Sequence, residues 1–355
     1  MENKYYLFTP KLDWLLIGGG ALIFYVILIV INMIYGVNVY WQSEIVYLML
    51  LLAFFVNSPH FLISYLIFYR ENRSNFKLFN NFSIVGVYIP LILLILILFG
   101  LYSLQKFYFN FLMLTMFFLV GWHYIKQAYG CFIVYSAGNK IFYNKNEQII
   151  VKFSLYPLWI FSFINIFTQD SIKDYWGFKY SFPSFLNGFG FIVEIISIIG
   201  FFSLLIMFLY NFIFLSKKVN LIALLPLLVI FFWLSPLFWN PYFYIMIPFF
   251  HSLQYYLFSG AYTKSKILNS ENKLSEFLKW WGIAFILGAF FFEFLPNFLD
   301  KNLLIGNIIT PHIFLLSFIL FINIHHYFID SVIWRSGNKN IRDNLKFISD
   351  NKKPA

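Results

Sequence analysis

The sequence predicts an all-α fold, a polytopic transmembrane helical bundle of about ten spanning helices. Three observations carry the prediction. Of the 355 residues, 61% are hydrophobic and only 11% are charged, where a soluble domain carries about 25% charged residues. Apolar runs near or above the roughly 20 residues that cross a bilayer recur along the whole length. Most Lys and Arg residues lie at the ends of these runs and concentrate in every second connection, the pattern of cytoplasmic loops. That placement accounts for the net charge of +10 and gives no reason to expect nucleic acid as a partner. The expected partner is the lipid bilayer.

The spans are expected roughly at 13–36, 45–69, 82–104, 108–136, 150–168, 186–215, 220–237, 242–262, 276–297 and 308–334, with ends good to about 2–4 residues. The leading MENKYYLFTPKLD is followed by an apolar run too long for a signal-peptide core, so no cleavable signal is expected. Basic residues mark one set of connections: Lys4 and Lys11, then Arg70, Arg73 and Lys77, then Lys140, Lys145 and Lys152. Lys217 and Lys218, Lys264 and Lys266, and finally Arg335, Lys339 and Arg342 continue the series. Both termini are therefore expected in the cytoplasm, with the chain a multi-pass protein of the cell's inner (plasma) membrane. Residues 1–335 read as one transmembrane domain and 336–355 as a polar, mobile cytoplasmic tail. The longest opposite connection, QDSIKDYWGFKYSFPSFLN, balances two lysines with two aspartates. Its aromatic residues place it along the outer interface. The single cysteine, Cys131, excludes an internal disulfide and a cysteine-based zinc or iron–sulfur site.

Histidines are distributed unevenly over these spans. His60, His123, His251 and the pair His325–His326 all fall on even-numbered spans, which run in one direction. His60 precedes Arg70, His251 precedes Lys264 and His326 precedes Arg335, while His123 precedes the expected helix end at Ser136. At 1.5 Å rise per residue these offsets put four histidines roughly 13–20 Å from the cytoplasmic helix ends, in one layer. Side chains three or four positions away share their faces: Asn57 and Ser64 with His60, Lys126 and Gln127 with His123, Gln254 with His251, Asn323 and Asp330 with His326. A polar stripe on an apolar cylinder faces inward in lipid, and an ionisable residue there marks function. Pro59 and Pro248 add kinks that widen the space beside two of the histidines.

This layer reads as a metal centre. His60, His123, His251 and His326 are the expected ligands, with His325, about 100° away from His326 on the helix, completing the set or facing a neighbour. Gln127, Gln254, Asn57 and Asp330 are candidate acceptors for the second ring N–H that a bound histidine presents. Lys126 and Asp330, each about one turn from the layer, are expected to pair and to act in catalysis, since an unpaired charge at that depth is expensive. His312, near the far end of the last span, reads as structural. Imidazole suits Fe, Zn, Cu and Ni. HExxH is absent, as are the HxxxH and HxxHH boxes of membrane desaturases, and two histidines on facing helices also fit a haem.

The runs NSPHFLISY, GWHYIKQAYG, FFHSLQYY and HHYFIDSVIWR resemble in kind the Brp/Blh family of bacterial and archaeal β-carotene dioxygenases. The family's PHG-like run stands here as Pro59–His60 followed by Phe61, and its HFG-like run has no counterpart. The resemblance implies intramembrane Fe(II) held by His60, His123, His251 and His326, another transition metal being the variant. It also implies an oxygenase acting on a lipid-soluble, carotenoid- or isoprenoid-like substrate. The rival expectation is a proton-coupled transporter or channel built on the His, Lys and Asp residues.

Overall fold

Short polar residues set where the helices begin. In the computed structural model, which describes residues 5–36, 39–71, 76–168, 172–217, 219–235, 241–303, 305, 309–335, 338–345 and 347–349, Thr9 caps the first helix by accepting from the Leu12 amide, with Pro10 at its first position. Asn80, Asn220 and Asn272 accept amide hydrogens in the same way at the starts of three later helices. Asn144 and Glu147 exchange side-chain-to-amide hydrogen bonds of 2.9 and 2.6 Å, a reciprocal capping box.

The helices in chain order are α1 (Pro10–Tyr35), α2 (Val39–Glu71), α3 (Asn81–Ser103), α4 (Lys106–Gly138), α5 (Lys145–Thr168), α6 (Gly190–Ile213), α7 (Leu221–Leu234), α8 (Pro241–Leu268), α9 (Lys273–Asn302), α10 (Ile313–Ile333) and the short α11 (Lys339–Asn344). A helix stands at each position where the sequence places a span. Among the described residues, seven helices are long and apolar enough to cross a membrane: α1, α3, α4, α5, α6, α9 and α10. α7 is apolar but has 14 residues. The outward faces are themselves apolar, with Val26, Ile92, Ile206 and Ile286 exposed, as expected where the solvent is lipid. The molecule is an all-α membrane bundle. Lys4, Arg73 and Lys218 of the basic connections, and residues 336–337, 346 and 350–355 of the expected tail, lie outside the described residues.

α2 packs on α8, α9 and α10, and α4 packs on α5, α7 and α10. The four histidine-bearing helices therefore occupy the middle of the bundle. α9 approaches α2 closely at the Pro59 kink: a Cβ on Gly288 would lie 3.0 Å from the Ser58 carbonyl carbon and 3.1 Å from the Pro59 nitrogen. Four π-type turns interrupt the helices, at Leu15–Gly19, Ile84–Tyr88, Leu278–Gly282 and Phe290–Phe294. Such turns leave carbonyls without their usual helical partner. Two of those carbonyls are used beside the site described below.

The aromatic connection after α5 folds into a hairpin. Strand β2 (Ile172–Tyr175) pairs antiparallel with β3 (Phe178–Ser181). Trp176 and Gly177 both have positive φ, the requirement of a tight two-residue hairpin turn. Phe178 and Tyr180 are buried with Phe109, Met113 and Ile313.

Near the two ends of the chain, β1 (Tyr5–Tyr6) pairs antiparallel with β4 (Ile348–Ser349), Tyr5 opposite Ser349. Phe347 fills the space over Gly138, whose added Cβ would meet the ring at 2.7 Å, and Ser265 Oγ donates to Asn344 Oδ1 at 2.9 Å. The described part of the expected mobile tail is thus packed. Its composition suggests a solvated segment, but Ile341, Leu345 and Phe347 give it an apolar side. Under this pair lies Asp13, fully buried. Its carboxylate accepts from the Leu7, Phe8 and Thr9 amides at 2.6, 3.0 and 3.3 Å and from the Tyr135 hydroxyl at 2.7 Å. Glu147 makes a second such knot, accepting from Asn211 and from Lys217 at 2.6 and 2.8 Å.

Candidate metal centre

Each of four helices contributes one histidine to a single point in the bundle. His60 follows Pro59 on α2, His123 lies on α4, His251 comes one turn after Pro248 on α8, and His326 lies on α10. Their exposures are 1, 4, 2 and 0%. One ring nitrogen from each falls within 4.8 Å of all the others, a group able to hold a metal ion. The His123 and His251 Nε2 atoms are 3.0 Å apart. The rings meet edge to face, with centroids 4.6 Å apart for His60 and His326 and 5.0 Å for His123 and His326. Ligands on ~2.1 Å bonds stand ~3 Å apart when adjacent and ~4.2 Å apart when opposite. The present spread of up to 4.8 Å is wider than either, so the rings would draw inward around an ion.

Hydrogen bonding tests whether the residues fit a metal. His60 Nε2, His251 Nδ1 and both nitrogens of His326 are buried without a hydrogen-bond partner. Each such atom costs ~1–3 kcal/mol when left alone. Lone-pair donation to a cation would relieve one nitrogen of each ring. The ligand set is chemically suitable, since neutral imidazole is a common donor to transition metals. Asp330 adds a carboxylate: its Oδ2 lies 3.4 Å from His326 Nε2 and 3.8 Å from His123 Nε2. The Tyr255 hydroxyl donates to Asp330 Oδ1 at 3.3 Å and itself accepts from Ser64 Oγ. Tyr255 also stacks edge-on against His60, centroid to centroid 4.7 Å.

The surroundings hold the ligands in place, although not in the way the spacing predicts. Gln127 and Gln254 do not reach the imidazole nitrogens. Gln127 Nε2 donates to the His251 carbonyl at 3.0 Å and lies 3.2 Å from Gln254 Oε1. Gln254 Nε2 donates to the Ile17 carbonyl in the π-turn of α1 at 2.6 Å. The two amides therefore fasten the backbone of His251 to α4 and α1. Asn57 serves through its main chain: its carbonyl lies 3.2 Å from His60 Nδ1, while its side-chain oxygen accepts from Ser252 Oγ at 2.9 Å. Of the four predicted side chains only that of Asp330 meets the rings; Ser252 Oγ also lies 3.3 Å from His60 Nδ1.

Two further expectations change. His325 is not in the group. Its Nε2 donates to the Val85 carbonyl in the π-turn of α3 at 2.9 Å, which leaves Nδ1 to accept from the Tyr65 hydroxyl at 2.8 Å. Both nitrogens are thereby occupied on a face turned away from the other histidines. Lys126 does not pair with Asp330. It is exposed, its ammonium 5.3 Å over the Trp122 ring, whereas Asp330 is buried against His123 and His326. The long stem lets the ammonium fold back one turn along α4 onto that ring, on the outer face of the helix. His312 precedes α10 with its ring 6.3 Å from Trp176, apart from the four. Tyr255 is the residue that sequence reasoning passes over, although it stands four positions after His251 and so shares its face.

No family model, no curated protein and no solved structure matches this chain.

Proposed function

We propose that the protein is a non-haem iron oxygenase of the cell's inner membrane, acting on a lipid-soluble, carotenoid- or isoprenoid-like substrate. In this reading α1 to α10 all cross the bilayer and both termini are cytoplasmic. The observation that carries the proposal is the buried group of four histidines with four unpartnered ring nitrogens. Bound Fe(II) would supply the capacity to bind and activate O₂. His60, His123, His251 and His326 hold the ion as neutral donors. Asp330 balances part of its charge and holds the Tyr255 hydroxyl beside the centre. Gln127 and Gln254 fix the turn that carries His251, so that the ligand geometry is set before the ion enters.

Burial of the centre in apolar helices favours a substrate that arrives through the bilayer. A crevice of about 270 Å³ between α1, α2 and α8, lined by Leu15, Ile23, Phe24, Leu52 and Phe250 among others, opens at the lipid face. Phe250 is the residue before His251, which makes this side a reasonable approach for an apolar chain. A proton relay that used Lys126 would need that lysine inside, and it is exposed.

Elemental analysis of the protein purified in mild detergent tests the proposal, beside His123→Ala and His326→Ala. Near-stoichiometric iron in the wild type and its loss in both variants is the expected result. A wild type that stays metal-free after reconstitution with Fe(II) removes the oxygenase and leaves the proton-coupled carrier, for which flux assays come next.

A further inference from the structure

A carboxylate can stand beside a metal-binding histidine in two ways. It can accept from the N–H that the ring turns away from the ion, the usual supporting contact. Or it can share the side on which the lone pairs converge. Asp330 takes the second place. His123 presents its Nε2 to His251, whose Nε2 lies 3.0 Å away. Asp330 Oδ2 lies 3.8 Å from that same His123 nitrogen and 3.4 Å from His326 Nε2. Both distances fall between the ~3 Å of adjacent ligands and the ~4.2 Å of opposite ones on ~2.1 Å bonds. The four-residue step from His326 to Asp330 puts both on one face of α10. The Tyr255 hydroxyl donates to Oδ1 at 3.3 Å, which holds the carboxylate with Oδ2 toward His123 and His326.

Charge points the same way. Among the described residues three acids are buried: Asp13, Glu147 and Asp330. Asp13 is met by three amides and a hydroxyl, and Glu147 by Lys217 and Asn211. The ion pairs that Asp330 makes among the described residues are with His123 and His326, not with a lysine or arginine. A carboxylate without a cation is costly in an apolar interior, and so is a divalent ion held by four neutral rings. A bond between the two removes both costs.

We infer that Asp330 Oδ2 is a fifth ligand of the metal, beside His60, His123, His251 and His326. The inference rests on the reading of this group as a metal centre, and on neither iron nor oxygenase chemistry. It narrows what the centre holds. Five protein ligands leave no place for the four nitrogens of a porphyrin, so haem does not fit. Imidazole with a carboxylate also favours Fe(II), Mn(II) or Zn(II) over Cu(I). A six-coordinate ion would keep one position for a further ligand, too few for a substrate that chelates. The substrate class is then one without a chelating group, held by apolar surface.

Infrared difference spectra of the whole protein, carrying aspartate labelled with ¹³C in its carboxyl group, test this on anaerobic addition of Fe(II). Bonding through Oδ2 alone makes the two C–O bonds unequal. Fe(II) should therefore bring up one label-sensitive carboxylate pair with a separation wider than that of a free carboxylate. Asp330→Asn should lack the pair and bind Fe(II) about 100-fold more weakly or worse, beyond what an outer hydrogen-bond partner usually contributes. Tyr255→Phe should keep the widened pair but shift it, because Oδ1 loses its donor. That shift assigns the pair to Asp330 even if the Asp330→Asn elution profile shows a misfolded variant. Near-stoichiometric Fe(II) without a widened pair, or with the same pair in Asp330→Asn, removes Asp330 from the ligand set and leaves the four histidines standing. No uptake of Fe(II) by the wild type overturns the ligand and the metal centre together.

Discussion

Asp13 and His326 are both 0% exposed, yet their surroundings differ in kind. The Asp13 carboxylate receives three backbone amides and the Tyr135 hydroxyl. It is a closed set of donors and acceptors that ties residues 7–9 and the start of α1 to α4. The histidine centre has comparable burial and four ring nitrogens with nothing to bind. Burying a polar group is costly unless it is partnered. A fully satisfied knot therefore explains itself by stability, and a cluster of unsatisfied donors explains itself by what it binds. The contrast separates structural from functional polar residues in a chain where both are buried in apolar helices.

Experiments can break this contrast. His326→Ala should bring the largest change, a fall of iron from about one per chain to under a tenth of that by elemental analysis. The apo variant should unfold earlier than the apo wild type by the cost of a cavity alone, ~2–5 kcal/mol, and should stay folded. Asp13→Ala should do the reverse. It strands three amides and a hydroxyl and should cost ~3–5 kcal/mol, read as a drop in unfolding midpoint in detergent, while the folded fraction keeps its iron. If Asp13→Ala instead empties the centre and His326→Ala unfolds the protein, the division of roles is wrong. Next in size, Fe(II) at a hundredfold excess over its Kd should stabilise the wild type by ~2.7 kcal/mol, an effect that chelation reverses and His60→Ala abolishes. Gln254→Leu frees the Ile17 carbonyl and the Gln127 amide, and should weaken metal affinity ~10–100-fold in competition titrations. Smallest of all, His325→Phe should leave metal content unchanged and cost ~1–2 kcal/mol, because that ring serves Val85 and Tyr65 only.

Much of this arrangement is legible in the residues alone. Apolar run length and the charge of the connections locate the long helices, because in lipid both are imposed by the solvent rather than by partners. The four clustered histidines are legible because depth along a helix follows from residue count. The choice of His326 over His325 follows from the 100° step between neighbours and the face shared with Asp330. Lys126 defeats the same reasoning, because spacing fixes where a Cα sits and says little about where a long side chain ends. Spacing does bring Gln127 and Gln254 to the site, but the carbonyl that Gln254 holds is in a π-turn of α1, which no periodicity announces. The β1–β4 pairing is illegible for a further reason. Two-residue strands at opposite ends of a chain carry no local signal, and only the packed fold shows that Tyr5 meets Ser349.

That pairing has a consequence in time. Residues 5–6 leave the ribosome early, but their strand partner is made roughly 340 residues later, on the order of 20–70 s at bacterial and eukaryotic rates of synthesis. Until then the first strand waits without its mate, whatever the helices behind it have already done. A chain cut before Ile348 lacks this clasp.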